Sequence, residues 1–151
     1  MSKLRIEVVN RQSRVRCGSR ALKSVLKSAL AGAAGGVELS VAVVSDEEMR
    51  ELNRRFLGRD RPTDVMAFPY GMEGGRLEGE IVVNADEACR RARDTSHSAQ
   101  DELMLYVVHG LLHLLGHDDA EPDARRRMHE RAIEVLRAAG RKIDAETLLE
   151  D

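Results

Sequence analysis

The stretch HGLLHLLGHDD, residues 109–119, combines an apolar helix with side chains that bind metals. His109 and His113 are four positions apart, which places both imidazoles on one face of an α-helix, one turn apart. Gly116 ends the helix and lets the chain turn back, so that Asp119 can approach the same point. Two helical histidines and a third ligand beyond a glycine turn are typical of an open hydrolytic metal site. The stretch therefore predicts one Zn²⁺, or another divalent ion, per chain.

The third ligand has two candidates. Asp119 has the spacing of a residue that the glycine turn brings back, and we favour it. His117, four positions after His113, is the rival, although it must point back after the turn. Asp118 is a candidate acceptor that orients one of the rings by a hydrogen bond. His97, in a polar loop, and His129, in the last predicted helix, are expected at the surface.

The residue at position 110 distinguishes this helix from the helices of zinc proteases. In the HExxH motif a glutamate follows the first histidine and acts as the general base, whereas this chain has Gly110 there. Glycine inside a helix costs about 1 kcal/mol relative to alanine, so we expect a substrate backbone or a packed strand to lie against it. The sequence assigns no general base, and water activated by the metal is the expected nucleophile. A metalloprotease remains an alternative that Gly110 disfavours.

The patterns on either side of this helix predict an α+β fold, with a small mixed sheet of about four strands packed with about five helices. Apolar runs predict strands at 4–9, 37–44, 65–68 and 80–83, and Pro69 restricts the third of these to a sheet edge. Apolar periodicity and capping residues predict helices at 19–33, 45–56, 86–93, 99–115 and 122–139. The helix at 99–115 is apolar on most sides and is therefore expected to be central and buried, like the central helix of zinc hydrolases.

Length and composition predict one domain over residues 1–143, which the histidine helix indicates is a metal-dependent hydrolase, and an acidic, loose tail over residues 144–151. Cys17 and Cys89 are far apart, and neither a signal segment nor a long apolar run is present, so a cytoplasmic protein without a membrane partner is expected. The net charge is −2, yet residues 1–36 carry eight basic residues against one acidic residue. This asymmetry indicates a face that meets a polyanion, or else an ordinary solvated surface.

Three segments of the chain match the motifs of one known family in the same order. HGLLHLLGHDD is similar to HGxLHLxGYDH. Leu52, Asn53 and the segment DRPTDVMAFP at 60–69 resemble LNxxYRxxDxPTDVLSFP, and GEIVVNADEA at 79–88 resembles GDIVIS followed by a helix. These are motifs of the YbeY family of bacterial single-strand endoribonucleases and ribosomal RNA maturation factors. The resemblance runs from about residue 37 to about residue 137 and implies an α+β metal hydrolase fold, a Zn²⁺-like ion and RNA as substrate.

The chain departs from the family pattern at three positions. Asp119 stands where the family has its third histidine, and a carboxylate remains a competent zinc ligand. His117 stands where the family has tyrosine. Leu57 stands where the family has an arginine that it uses in function, so Arg55 or Arg59 is expected to replace that arginine in space.

The resemblance implies a metal-dependent endoribonuclease that acts on single-stranded RNA in 16S rRNA 3′-end maturation and ribosome quality control. Its expected partners are ribosomal RNA and the small ribosomal subunit or its proteins. Arg59, Arg61, Arg55 and the amino-terminal basic residues are the candidates that hold flanking phosphates. The segment 62–64 (Pro-Thr-Asp) either forms a local turn or walls the metal cleft. A non-catalytic ribosome assembly factor that binds ribosomal RNA is the alternative.

Overall fold

The sheet is mixed and has four strands within the part of the chain that the structure describes. The structure is a computed structural model that describes residues 4–31, 35–71, 73–117 and 120–144. Its strands are β1 (Leu4–Asn10), β2 (Val37–Val44), β3 (Val65–Gly71) and β4 (Leu77–Asn84), in the order β1-β2-β4-β3. The pairs β1–β2 and β2–β4 are parallel, and β3 runs antiparallel to β4. Strand β3 lies at the edge, as Pro69 predicts, because proline has no N–H for a second ladder.

Five α-helices within the described residues cover the two faces of this sheet. They are α1 (Ser19–Ala29), α2 (Asp46–Leu57), α3 (Ala85–Ala92), α4 (Ala99–Leu114) and α5 (Pro122–Ala138), and a 3₁₀ turn (Glu73–Gly75) precedes β4. The main core lies between one sheet face and the helices α1, α3, α4 and α5. A smaller cluster on the other face packs Met49 of α2 against Val44, Met66 and Val82. The predicted α+β class and numbers of elements are confirmed.

Helix α4 is the centre of the main core. Its residues from Asp101 to Val108 are all buried, and its apolar side chains contact both the sheet and the surrounding helices. Ser98 begins the helix, since its side chain accepts a hydrogen bond of 3.1 Å from the N–H of Asp101. The prediction of a central, buried helix is therefore confirmed. No helix within the described residues is long and apolar enough to cross a lipid bilayer.

Three predicted boundaries differ from the structure by three or four residues, and one of them is the end of β3, at Gly71 rather than at residue 68. The first helix ends at Ala29 rather than at residue 33, and residues 32–34 lie outside the described part of the chain. Strand β4 begins at Leu77 rather than at residue 80, because parallel pairing with β2 extends from Val37 opposite Leu77 along the whole strand. Glu78 hid the start of this strand from the hydrophobic pattern, because it lies at a partly exposed position. The predicted tail begins at Asp144, and its residues 145–151 lie outside the described part of the chain.

Asn84, at the end of β4, joins three elements. Its buried amide donates 2.8 and 3.1 Å hydrogen bonds to the Asp46 carboxylate, at the start of α2, and to the carbonyl of Thr63. The amide oxygen accepts from the N–H groups of Asp86 and Glu87 and so caps α3. These bonds fix the segment before β3 against the end of the sheet, beside a cleft that this segment lines.

Candidate metal centre and arginine-lined cleft

A cleft of about 570 Å³ lies between α4, the segment that leads into β3, and α5. One stripe of α4 forms its floor, since Glu102, Tyr106, His109 and His113 follow one another at helical spacing of three or four residues. The segment 63–68 forms one wall, with Asn53 and Leu57 of α2 beside it, and α5 forms the opposite wall with Arg125, Met128 and His129. The two histidines of the HxxxH pattern therefore face one common cavity.

Gly110 lies against the sheet at the base of this cleft. A methyl group built at this position would lie 2.6 Å from Cγ2 of Ile81 and 3.3 Å from Cγ2 of Val65. Ile81 is fully buried in β4 and is branched at Cβ, so it has little freedom to move aside. Of the two contacts expected from the sequence, the packed strand is therefore the one present, and the glutamate of HExxH has no room here.

The helix ends as the glycine predicts. Gly116 has a φ of +99°, the left-handed region that glycine adopts without penalty. The N–H of Gly116 donates to the carbonyl of His113 at 3.1 Å, and the N–H of His117 donates to that of Leu112 at 3.0 Å. This pair of bonds is a Schellman end, which reverses the chain direction immediately after the second histidine.

His129 is buried beside His109, and its prediction as a surface residue is wrong. Its side chain is 7% exposed, and its Nδ1 lies 3.4 Å from Nε2 of His109. The two ring centroids are 5.4 Å apart, with the ring planes inclined at 43°. The sequence carried a signal for this position, because the residues three, four and seven positions later are the buried Ala132, Ile133 and Leu136.

His97 is also buried, and its prediction as a surface residue is wrong for a different reason. Its Nδ1 accepts a hydrogen bond of 2.9 Å from the N–H of Asp144, so the proton of the neutral ring is on Nε2. That nitrogen donates to Glu102 over 2.6 Å. The partners lie 5 and 47 positions away in sequence, and no local pattern indicates them. His97 thus fixes the carboxylate of Glu102, which reaches the cleft floor.

The predicted third ligand, Asp119, lies outside the described residues, as does Asp118. His117 is exposed and is not among the described residues that line the cleft. Within residues 4–31, 35–71, 73–117 and 120–144, no three His, Cys, Asp or Glu side chains lie together closely enough to hold a metal ion. A three-ligand centre therefore requires Asp119, or a rotation of the exposed side chain of His113.

The donor chemistry of the cleft nevertheless fits a divalent ion. Burial lowers the pKa of His109 to about 4, with the neighbouring His129 as the second cause. The ring is therefore neutral near pH 7, which is the form that binds metals. His113 lies one helical turn away at the same cleft, and imidazole nitrogens suit Zn²⁺ and similar ions.

Arginine dominates the charge of the cleft. Its described lining holds four arginines, namely Arg59, Arg61, Arg91 and Arg125, against the two carboxyl groups of Asp64 and Glu102. The cleft is thus net positive although the chain carries a net charge of −2. Such an excess of positive charge in a concave site attracts polyanions.

The three arginines that the sequence analysis proposes for RNA binding differ in whether they line the cleft. Arg59 and Arg61 line the cleft, and the exposed Leu57 marks the place of the family arginine beside them. Arg55 is exposed and lies outside the described cleft lining. Sequence reasoning missed Arg91 and Arg125, because their helices α3 and α5 meet the cleft only through tertiary packing.

The amino-terminal basic residues are placed elsewhere. Among the described residues of the segment 1–36, no basic side chain lines the cleft. Arg11 and Arg14 form ion pairs with Glu48 and Asp86, at 2.5 and 3.0 Å. These pairs attach the end of β1 to α2 and α3, so the basic segment serves the fold at these positions.

Two groups with raised pKa values lie in the same cleft. Asp64 accepts a hydrogen bond of 2.7 Å from the N–H of Val65, and its burial raises the pKa of the carboxyl group. Burial, with the charge of Glu102 as the second cause, holds the pKa of Tyr106 well above its usual range. The segment 62–64 thus makes a local hydrogen bond and also walls the cleft, so both readings of that segment apply.

We expect Asp64→Asn to stabilise the protein increasingly as pH rises. The unfolded chain releases the Asp64 proton at about pH 3.9, whereas the folded chain holds it to a higher pH. In that window the unfolded state binds fewer protons at this site, so the contribution of Asp64 to wild-type stability falls with rising pH, and the uncharged variant lacks this loss. Urea unfolding of both proteins at about pH 4 and pH 7 measures the difference. A difference in unfolding free energy that stays constant between the two pH values would contradict this expectation.

The fold and the cleft together define an α+β domain with a helix-borne histidine site. A sequence profile of the family described as Endoribonuclease YbeY matches residues 7–140, so the chain belongs to this family. This agrees with the resemblance that the three motifs indicate.

Individual relatives support the same placement. The chain is 40% identical over 104 residues to Endoribonuclease YbeY of Rhodopirellula baltica, covering 68% of this chain and 54% of the relative. It is 46% identical over 84 residues to Endoribonuclease YbeY of Aquifex aeolicus, covering 54% of this chain and 56% of the relative. The chain thus spans about half the length of these relatives. The solution structure of TM1509 from Thermotoga maritima is similar at a TM-score of 0.60 and 30% identity, covering 89% of this chain and 90% of that one.

Proposed function

We propose that this protein is a metal-dependent endoribonuclease that cleaves single-stranded RNA. The observation that carries the proposal is the cleft itself, in which His109 and His113 on α4 face a lining with four arginines. Membership of the Endoribonuclease YbeY family supports a phosphodiester as the bond that is cleaved. The volume of about 570 Å³ lies in the range of small-ligand pockets, which admits a segment of single strand but not a double helix.

His109 and His113 would hold the ion, with Asp119 as the third ligand. When bound, one Zn²⁺ or another divalent ion would lower the pKa of a coordinated water toward about 7 and would draw charge from a phosphoryl oxygen. The protein contributes the neutral imidazole of His109, which burial keeps ready for coordination. No side chain is assigned as general base.

The surrounding residues position the RNA. Arg59 and Arg61 at the cleft edge would bind phosphates on one side of the scissile bond, and Arg125 would do so from α5. Phe68 lines the wall and makes an edge contact with Phe56, whose ring is 57% exposed, so an aromatic surface for a base lies beside these arginines. Tyr106 keeps its proton and can donate a hydrogen bond from the floor.

We further propose ribosomal RNA of the small subunit as the substrate, with roles in 16S rRNA 3′-end maturation and ribosome quality control in the cytoplasm. The small subunit or its proteins would be the partners. The family resemblance supports this assignment. A metalloprotease is disfavoured, because the position of the HExxH glutamate is filled by the packing of Gly110 on Ile81.

The function predicts a defined response to the loss of two arginines. We expect the double variant Arg59→Ala, Arg61→Ala to bind single-stranded RNA more weakly, with the slope of log affinity against log salt reduced by about 1.4, since each phosphate contact contributes about 0.7. Both side chains are exposed, so stability should be unchanged. The matched control is Arg55→Ala, which removes an exposed arginine outside the cleft and should leave the slope unaltered.

The activity is measured on an RNA that carries the 3′ end of small-subunit ribosomal RNA, in single-stranded and duplex form. Cleavage of the single strand should require added divalent ion and should fall in the double variant. An unchanged salt slope in that variant, or full cleavage by chelator-treated protein, would contradict the proposal.

A further inference from the structure

The proximity of His129 to His109 has no counterpart in the HxxxHxxGxxD pattern. His129 belongs to α5, twenty positions after His109, and is held there by the buried stripe of Met128, Ala132 and Ile133. The helix therefore brings a third imidazole to the cleft floor from outside the motif. The distance of 3.4 Å joins two ring nitrogens, Nε2 of His109 and Nδ1 of His129, both of which are metal-binding atoms.

This distance suits a shared ion better than a shared proton. Hydrogen bonds with an N–H donor have heavy-atom distances of about 2.7–3.2 Å, so 3.4 Å is long for such a bond. Two nitrogens on one tetrahedral zinc, each about 2.0–2.1 Å from the ion, are about 3.3–3.4 Å apart. Once Nε2 of His109 gives its lone pair to the ion, it can no longer accept a proton from His129, and the facing nitrogen lies at the distance of a second ligand.

The geometry points to His129 as a ligand of the same divalent ion, through Nδ1, so that the centre has three imidazoles from His109, His113 and His129. This inference rests on the proposed function for the presence of the ion. It concerns the number of imidazoles that bind the ion, and it holds whether or not Asp119 is a further ligand.

Coordination of one ion by all three imidazoles requires the side chain of His113 to rotate from its position in the structure. His113 lies one helical turn from His109 at the same cleft, and its exposed side chain can rotate about χ1 and χ2 toward the ion. A set of three neutral imidazoles leaves the full charge of the ion to act on water and phosphate, whereas a carboxylate ligand offsets part of it. His129 would thereby supply a third histidine ligand, in place of the histidine that Asp119 replaces in the family motif.

The test uses the full chain loaded with Zn²⁺ alone and reads out coordination rather than activity. X-ray absorption at the zinc edge should show three imidazole ligands in the wild type and two in His129→Leu. This variant places an apolar side chain against α4 in place of the imidazole. Zinc affinity, measured by competition with a chelating dye, should fall more than about 100-fold in that variant, beyond the 10–100-fold typical of a residue that only orients a ligand. His117→Gln should retain three imidazoles.

The wild-type count needs no variant, so the inference can be refuted even if His129→Leu does not fold. Two imidazoles in the wild type, or a third that disappears in His117→Gln, would overturn the role of His129 and leave the proposed function intact. Zinc-free wild-type protein that still cleaves RNA would refute the metal dependence of the proposed function. Three imidazoles that include His129, in a protein without ribonuclease activity, would support the ligand and refute the activity.

Discussion

Replacing His113 with alanine should abolish stoichiometric metal binding and reduce RNA cleavage to background. A bound ion contributes several kcal/mol to the stabilisation of developing charge, so its loss should slow cleavage by roughly a thousandfold or more. His113 is the better test residue of the HxxxH pair, because its side chain is exposed whereas that of His109 is packed beside His129. Its removal should change the unfolding free energy by less than about 0.5 kcal/mol.

The measurements are zinc content after dialysis and single-turnover cleavage of the ribosomal RNA fragment. The matched control is His117→Ala, an exposed histidine four positions further along and outside the described cleft lining. It should retain metal and cleavage. Loss of metal from the control instead of from His113→Ala would make His117 the ligand, and retention of cleavage by His113→Ala would indicate a contaminating ribonuclease or a metal-independent reaction.

Replacing Gly110 with glutamate, which restores HExxH, should destabilise the protein rather than create a protease. The new Cβ would lie 2.6 Å from Cγ2 of the buried Ile81, so α4 must move off the sheet. Overpacking costs about 1–3 kcal/mol, and a carboxylate left unpaired in the interior costs about 3–5 kcal/mol more. Their sum is comparable with the whole stability of many domains, about 5–15 kcal/mol. Urea unfolding with and without added Zn²⁺ measures the loss.

A double-mutant cycle of Gly110→Ala and Ile81→Ala measures the energy of the contact between positions 110 and 81. Gly110→Ala alone should be destabilising, because the clash with Ile81 exceeds the gain of about 1 kcal/mol in helix propensity. In an Ile81→Ala background the 2.6 Å clash is absent and only the 3.3 Å approach to Val65 remains, so Gly110→Ala should be less destabilising by at least about 1 kcal/mol, which is the coupling energy. Equal effects of Gly110→Ala in both backgrounds would show that the glycine is not required by this strand.

Features that depend on neighbours along the chain could be predicted from the sequence. The common face of His109 and His113, the cap at Ser98 and the glycine end at Gly116 all follow from contacts three to five positions apart. The edge position of β3 followed from Pro69 in the same way. These features are local, because backbone geometry and hydrogen bonding within one turn determine them.

Features that depend on how the helices and strands pack together could not be predicted from the sequence. The sequence shows that Gly110 is unusual, but only the sheet shows that Ile81 occupies its neighbourhood. The charge asymmetry pointed to the amino-terminal segment, whereas packing of α3 and α5 brought Arg91 and Arg125 to the cleft instead.

The sequence by itself determined the α+β class, the histidine helix and its turn, because hydrophobic periodicity and capping fix each element before the elements meet. Only the tertiary structure decided that His129 faces His109 and that His97 is buried against Glu102. The rotation of α5 against α4, and the path of the loop before α4, depend on the fit of many side chains from distant parts of the chain. That fit has no period in the sequence, so it is settled only when the core is packed.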